Sequence, residues 1–215
     1  MEFWTAWTHF LGTSLSYFSA NWGLSEAFSI ITLTLIVRFA LMPVSLAAAY
    51  KMQKNKVAMK RIKPELDEIK INFKDNRSEL TNKTMALYQK HGISIVDKVS
   101  IFNLGTQGLF GIGIFHVLKN MMFRSKFLWI ATLAKPDILL TVVVGSLMMF
   151  GLVLMPNGPE NMSMWLVLMI PVAISVFAII ALPAALGIYW ATSNAVTVVQ
   201  MLILRVIVKR QIPTI

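Results

Sequence analysis

Five stretches of this sequence are apolar over enough residues to cross a lipid bilayer. They cover roughly 24–48, 99–119, 137–155, 162–181 and 184–206, and 56% of the 215 residues are hydrophobic. Soluble domains are less apolar than this, and about 20 apolar residues in a helix span the hydrocarbon layer. The sequence therefore predicts an all-α polytopic membrane protein with five transmembrane helices.

The basic residues are concentrated between the first two predicted spans. Twelve of the 20 Lys and Arg residues lie within 51–98, alongside six acidic residues, and Lys209 and Arg210 follow the last span. An excess of Lys and Arg marks cytoplasmic loops. We therefore expect a multi-pass protein of the bacterial plasma (inner) membrane, with its N-terminus outside and its C-terminus cytoplasmic. The same charge is also compatible with binding to anionic lipid headgroups or to ribosomal RNA.

Helical periodicity divides the chain into three parts. Apolar residues at positions 4, 7, 11, 15 and 18 predict an N-terminal interfacial amphipathic helix over 1–22. The five-helix core covers 23–207, and it includes a cytoplasmic helical hairpin over 51–92. Asn76 and Glu79 are spaced as a capping box that starts the second arm of this hairpin. Residues 208–215 form a short basic C-tail.

The first predicted span contains a permanent cation, Arg38, within "SIITLTLIVRFALMP". A charged residue at the bilayer centre costs roughly 2.5–3.5 kcal/mol on insertion scales. No Asp or Glu lies in the core of any predicted span, and Lys51 is too distant for Arg38 to reach the same headgroup layer easily. Two alternatives remain: Arg38 faces a water-filled cavity, or it bonds to backbone carbonyl groups.

Polar side chains follow helical stripes on three of the predicted spans. Each stripe alone is typical of hydrogen bonding between membrane helices. Three stripes together with an unpaired arginine predict a shared hydrophilic groove that receives a substrate. The candidate groove residues are Thr34, Arg38 and Ser45 on the first span, Asn103 and Gln107 on the second, and Tyr189, Ser193, Thr197 and Gln200 on the fifth.

Catalytic chemistry is not expected from this sequence. It contains no cysteine, its three histidines (9, 91 and 116) are scattered, and it has no recognisable metal, nucleotide or hydrolase motif. We predict no catalytic residue, no metal site, no cofactor and no enzymatic activity.

Several segments together resemble the YidC/Oxa-type membrane protein insertases. The last core span of that family is similar to "LPAALGIYWATSNAVTVVQ" (182–200), and its groove arginine lies in a segment similar to "IVRFALMPVS" (36–45). Its hairpin arms resemble "MKRIKPELDEIK" (59–70) and "MALYQKHG" (85–92), and "FLWIATLAKPD" (127–137) is similar to the loop after its second core span.

The resemblance implies an insertase and chaperone that helps newly made integral membrane proteins to insert and fold. Its groove would open to the cytoplasm and the lipid, and Arg38 would attract acidic residues in the tail of an incoming protein. The implied partners are nascent membrane proteins and the lipid bilayer. The Sec translocon, the signal recognition machinery and the ribosome stay open as further partners, and DNA is not expected.

Two other functions are compatible with the same residues. One is a dedicated assembly factor for a single membrane complex. The other is a small-solute transporter or channel that uses the same polar groove. Transporters often contain inverted repeats and broken helices near mid-membrane, and the sequence shows neither feature.

Overall fold

The protein is built from α-helices. The computed structural model describes residues 1–94, 97–156, 158 and 161–211. The helices in this part are α1 (Glu2–Trp22), α2 (Glu26–Arg61), α3 (Lys63–Asn72), α4 (Arg77–Lys90), α5 (Lys98–Asn120), α6 (Ile138–Val153), α7 (Met162–Ile180) and α8 (Ala184–Gln211).

Four of these helices, α2, α5, α7 and α8, are long and apolar enough to cross a membrane. The predicted all-α polytopic class is therefore confirmed. The predicted third span corresponds to α6, which is apolar but has only 16 residues. At 1.5 Å per residue it is about 24 Å long, shorter than a hydrocarbon layer of about 30 Å. The count of five transmembrane helices stays a prediction.

Short polar side chains begin most of the helices. Each of these side chains accepts a hydrogen bond from a backbone N–H group in the first turn, which would otherwise lack a partner. The caps are Ser25 for α2, Asn76 for α4, Asp97 for α5, Asp137 for α6 and Asn161 for α7. One half of the predicted capping box is present, since Asn76 Oδ1 accepts from Glu79 N at 3.1 Å. The Glu79 carboxylate accepts from Asn76 Nδ2 at 3.2 Å and not from the Asn76 backbone N–H, which donates to the Phe73 carbonyl.

The helix that contains the first predicted span continues far beyond the end of that span. Helix α2 runs without a break to Arg61, so the first eleven residues of the segment predicted as a hairpin extend this helix. A new helix, α3, starts after Ile62 with Pro64 in its first turn, where the missing N–H costs nothing. Helices α3 and α4 then pack against each other through Ile62, Leu66, Leu87 and Ile93. We call this side of the molecule the hairpin end.

The opposite side is closed by the loop between α5 and α6, and we call it the loop end. The buried residues Phe123, Ile130 and Leu133 anchor this loop in the largest apolar cluster. The Glu26 carboxylate also accepts hydrogen bonds from the Ser125 hydroxyl at 2.7 Å and the Ser125 N–H at 3.0 Å. The loop is therefore tied to the first turn of α2.

Helix α2 is the centre of the bundle, packing against α1, α5 and α8, while α6 packs against α8 and α7. Helix α1 buries Leu11, Leu15 and Phe18 against this core. Its placement in the membrane interface stays a prediction. The predicted C-tail starts inside α8, and residues 212–215 lie outside the described residues, as does part of the turn that "MPNGPEN" (155–161) predicts.

A close approach between α1 and α5 gives a test of this packing. A Cβ atom added at Gly113 would stand 2.5 Å from Trp7 Nε1 and 2.9 Å from Leu11 Cδ1. We expect Gly113→Ala to lower the stability of the purified protein by roughly 1–3 kcal/mol, as overpacking does. The measurement is thermal unfolding in detergent. Gly105→Ala is the matched control on α5, because nothing lies within 4 Å of its added Cβ. Equal midpoints for the two variants would contradict the packing of α1.

Candidate functional site

Arg38 lies midway along the part of α2 that is free of other charges. It is 12 residues from Glu26 and 13 from Lys51. At 1.5 Å per residue these separations are about 18 Å and 20 Å. The side chain is half-buried. The guanidinium group can reach neither Glu26 nor Lys51 on its own helix. Its partners must therefore come from neighbouring helices.

Three hydrogen bonds hold the guanidinium group of Arg38 between α5 and α8. Its Nη1 donates to Gln107 Oε1 at 2.5 Å, and its Nη2 donates to Thr197 Oγ1 at 2.5 Å and to the Ser193 carbonyl at 3.2 Å. The Nε atom is buried without a partner. Of the two alternatives for Arg38, the bond to a backbone carbonyl group is present, and two side-chain acceptors add to it. The water-filled cavity stays a prediction.

Further hydrogen bonds orient these acceptors. Gln107 Nε2 donates to Asn103 Oδ1 at 2.8 Å, which turns the carbonyl oxygen of Gln107 towards Arg38. The Thr197 hydroxyl donates to the Ser193 carbonyl at 3.1 Å and so directs its lone pairs to the arginine. We call Arg38, Asn103, Gln107, Ser193 and Thr197 the arginine cluster.

Every acceptor in the arginine cluster is electrically neutral. No carboxylate contacts Arg38 among the residues that the structure describes. The bonds satisfy part of the guanidinium group, but they leave its positive charge uncompensated. A carboxylate that reached the cluster would gain charge-assisted hydrogen bonds, which are roughly twice as strong as neutral ones. The cluster is thus suited to attract an anion.

The other candidate groove residues lie outside the arginine cluster. Ser45 and Gln200 are buried and form a separate pair, in which the Ser45 hydroxyl donates to Gln200 Oε1 at 3.1 Å. Tyr189 is half-buried and its ring meets that of Phe110 edge-on, with centroids 5.9 Å apart. Thr34 is completely buried, and its hydroxyl donates to the Ile30 carbonyl of its own helix.

Sequence reasoning missed an ion pair at the hairpin end. Lys51 forms an ion pair with Asp97, the residue that caps α5, and Asn55 Nδ2 donates to the Ser94 carbonyl at 2.7 Å. The hydrogen bond from Lys51 lowers the pKa of Asp97, while burial acts in the opposite direction. The pair therefore stabilises the fold at neutral pH, and this contribution disappears as the pH falls through the lowered pKa. An acid immediately before an apolar span was the available signal.

Beyond the arginine cluster, the polar contacts of α2 with α8 and with the start of α5 lie on the hairpin side of Arg38. The Ser45–Gln200 pair follows after seven residues of α2 and the Lys51–Asp97 pair after six more. Towards the loop end, the helices instead meet through buried apolar side chains, among them Ile30, Leu33, Phe110, Ile114 and Leu118. A polar path thus leads from the arginine cluster to the hairpin end only.

These features define a class: an all-helical, multi-pass membrane protein with an arginine held by neutral groups between its spans. A family model described as "60Kd inner membrane protein" matches residues 14–211. The chain is 30% identical to membrane protein insertase MisCA of Bacillus subtilis, over 95% of this chain and 80% of that protein. It is 29% identical to membrane protein insertase YidC of Clostridium tetani, over 88% and 86%.

A third relative, membrane protein insertase YidC of Helicobacter pylori, is 29% identical over 92% of this chain but only 35% of its own length. The chain belongs to the YidC/Oxa family of membrane protein insertases. The predicted family is therefore confirmed. These relatives are bacterial proteins, and this chain is likewise a multi-pass bacterial membrane protein.

The hydrogen bonds of Arg38 can be tested by a double-mutant cycle. We expect Thr197→Val to destabilise the protein by about 1.5–3 kcal/mol, the usual loss for a bond to a charged group. The loss should be smaller by at least about 1 kcal/mol when Arg38 is already Met, because the two side chains are coupled. Unfolding free energies of the four proteins measure this coupling.

The control for this cycle is Thr192→Val on the same helix. The Thr192 hydroxyl donates to the Ile188 carbonyl of its own helix and does not contact Arg38. Its effect should be the same with Arg38 or Met at position 38. Equal coupling for both threonines would contradict the arginine cluster.

Proposed function

We propose that this protein inserts newly made proteins into the membrane by drawing their acidic residues to the arginine cluster. The observation that carries this proposal is the charge of Arg38, which neutral acceptors hold in place without compensating it. The names of the relatives state the insertase activity. The groove and the roles of its residues are our inference.

The polar path supports a groove between α2, α5 and α8 that opens at the hairpin end. The acidic tail of a client protein enters there and pairs with Arg38. An acidic residue at the bilayer centre otherwise costs roughly 2.5–3.5 kcal/mol. A tail at Arg38 has only about 18 Å left to cross, the distance along α2 to Glu26 at the loop end. Without the groove it would have to cross a hydrocarbon layer of about 30 Å.

Burial of the client's own apolar segment in the lipid supplies the driving force, so no nucleotide or other cofactor is required. The closed loop end prevents a continuous pore, because apolar packing and the α5–α6 loop fill the space beyond the cluster. Ser45 and Gln200 keep the path polar near its opening. The groove therefore carries the tail as far as Arg38. Burial of the client's apolar segment in the lipid drives the tail across the remaining distance.

The orientation follows from the charges. We place the hairpin end in the cytoplasm, because most Lys and Arg residues lie there, and this puts the N-terminus outside. Helix α6 then crosses the membrane as the third of five spans. Its 16 residues are short for this purpose. A span shorter than the hydrocarbon layer thins the bilayer around it, at a modest cost per ångström.

Insertion into liposomes tests the role of Arg38. We expect purified wild-type protein to protect the translocated acidic tail of a single-span client from added protease. Arg38→Ala should reduce this protection by about tenfold or more, since one lost charge pair of about 1.4 kcal/mol corresponds to that factor. The same client with a neutral tail should lose much less.

Arg205→Ala is the matched control for net charge, because Arg205 lies exposed on α8 away from the arginine cluster. It should leave both clients unaffected. An equal loss for acidic and neutral tails with Arg38→Ala would contradict the electrostatic role. No protection by the folded wild-type protein would contradict autonomous insertion and favour a dedicated assembly factor.

The hairpin is proposed to recruit clients or partners. Its arms contact each other through their own apolar cluster, so replacing residues 63–90 by a short Gly–Ser linker should leave the remaining helices folded. We expect an unchanged thermal unfolding midpoint in detergent together with reduced insertion in the liposome assay. An aggregated product would show that the hairpin is required for the fold.

A further inference from the structure

A second polar site lies at the hairpin end of the molecule. It is a pocket of about 380 Å³ between α2, the end of α4 and the end of α8. Its lining consists of basic, neutral polar and small apolar side chains: Tyr50, Lys54, Val57, Ala58, Arg61, His91 and Gln211. Neither the family assignment nor the arginine cluster gives this pocket a role.

The chemistry of the lining favours an anion with several oxygen atoms. Lys54 and Arg61 supply two permanent positive charges, and no acidic side chain lines the pocket. Neither cation has a carboxylate partner among the described residues. The Tyr50 hydroxyl and the Gln211 amide add neutral donors. Arg and Lys together bind phosphate groups well, because the guanidinium fork and the ammonium group reach different oxygens.

Helix dipoles do not cancel this positive charge. The C-terminal ends of α2, α4 and α8 lie near the pocket, and each carries about half a negative charge. Lys54 and Arg61 alone exceed that total, and Lys209 and Arg210 add further positive charge in the last turn of α8. Part of the basic character therefore compensates the helix ends, and the remainder is available to a ligand.

The position of the pocket along α2 indicates where the anion comes from. Tyr50 follows Glu26 by 24 residues, about 36 Å, and Arg61 by 35 residues, about 52 Å. A bilayer is about 30 Å thick in its hydrocarbon layer and about 40–45 Å with its headgroups. If Glu26 lies at the outer surface of one headgroup layer, the opposite headgroup layer lies about 35–45 Å along α2, where Tyr50 and Lys54 are found. Side chains on a helix lean towards its N-terminus, so Arg61 leans back towards this layer.

We propose that this pocket binds the phosphate of an anionic phospholipid headgroup, such as that of phosphatidylglycerol, between Lys54 and Arg61. Basic pockets between membrane helices are known to hold such headgroups. Binding there attaches the base of the hairpin to the membrane surface. This inference goes beyond insertase activity, and it is measured on the purified protein without any client.

Lipid titration tests the proposal. The wild-type protein in neutral detergent is titrated with short-chain phosphatidylglycerol, and bound lipid is counted by native mass spectrometry. The variant carries Lys54→Gln and Arg61→Gln. Each cation near an anionic lipid contributes about 1 kcal/mol, so the variant should bind about 30-fold more weakly. The control carries Lys74→Gln and Arg77→Gln, which remove the same charge at the exposed tip of the hairpin. It should bind as the wild type does.

Three outcomes would overturn the proposal. Equal weakening in the pocket variant and the control would show that only net charge matters. Equal competition by inorganic phosphate at the same concentration would identify free phosphate as the ligand. A pocket variant that keeps its lipid but loses binding to a ribosomal RNA fragment would assign the pocket to RNA. If the double variant does not fold, Lys54→Gln and Arg61→Gln are titrated as single variants, and binding as tight as that of the wild type in both would also overturn the proposal.

Discussion

The removal of one guanidinium group from water is the constraint on which the rest of this structure depends. Arg38 has too many residues of α2 on either side to reach a headgroup layer, so the bundle must supply its hydrogen bonds. It does so with an amide, a hydroxyl and a backbone carbonyl from two other helices. These hydrogen bonds lower the free-energy cost of placing the cation in the bundle. Because the acceptors are neutral, the positive charge of Arg38 can still attract an anion. An acid at the same place would have made the arginine more stable and less attractive to a client.

The arrangement of the helices follows from this requirement. Because α5 and α8 both contribute acceptors, α2 must pack against both, and it forms the centre of the bundle. Polar contacts continue from Arg38 towards the hairpin end through Ser45 and Gln200, while the loop end is closed by apolar packing and by the Glu26 contacts. If polar contacts between the helices continued from Arg38 towards both ends of the bundle, the cation would line a channel. Here the polar contacts of α2 with α8 and with the start of α5 lie on the hairpin side of Arg38. This one-sided arrangement supports the proposed groove.

The sequence predicted well what depends on periodicity and composition. It predicted the fold class and the family. It also singled out Arg38, because an unpaired cation in an apolar helix is expensive wherever the helix packs, and the role of Arg38 stays a prediction. It did not predict that α2 continues to Arg61, since the change from apolar to basic residues marks the edge of a membrane and not the end of a helix. Periodicity also cannot distinguish a side chain that bonds to another helix from one that bonds to its own. Thr34 and Thr197 looked equivalent for that reason, and only Thr197 contacts Arg38.

The central claim is that the charge of Arg38 selects clients, and a charge reversal tests it most directly. Arg38→Glu would be compared with the wild type in the liposome assay, using one client with an acidic tail and the same client with a basic tail. The account predicts that the wild type favours the acidic tail and that the variant favours the basic one, because the sign of the charge at this position decides which tail is drawn inwards. An unchanged preference for the acidic tail in the Arg38→Glu protein would contradict the account.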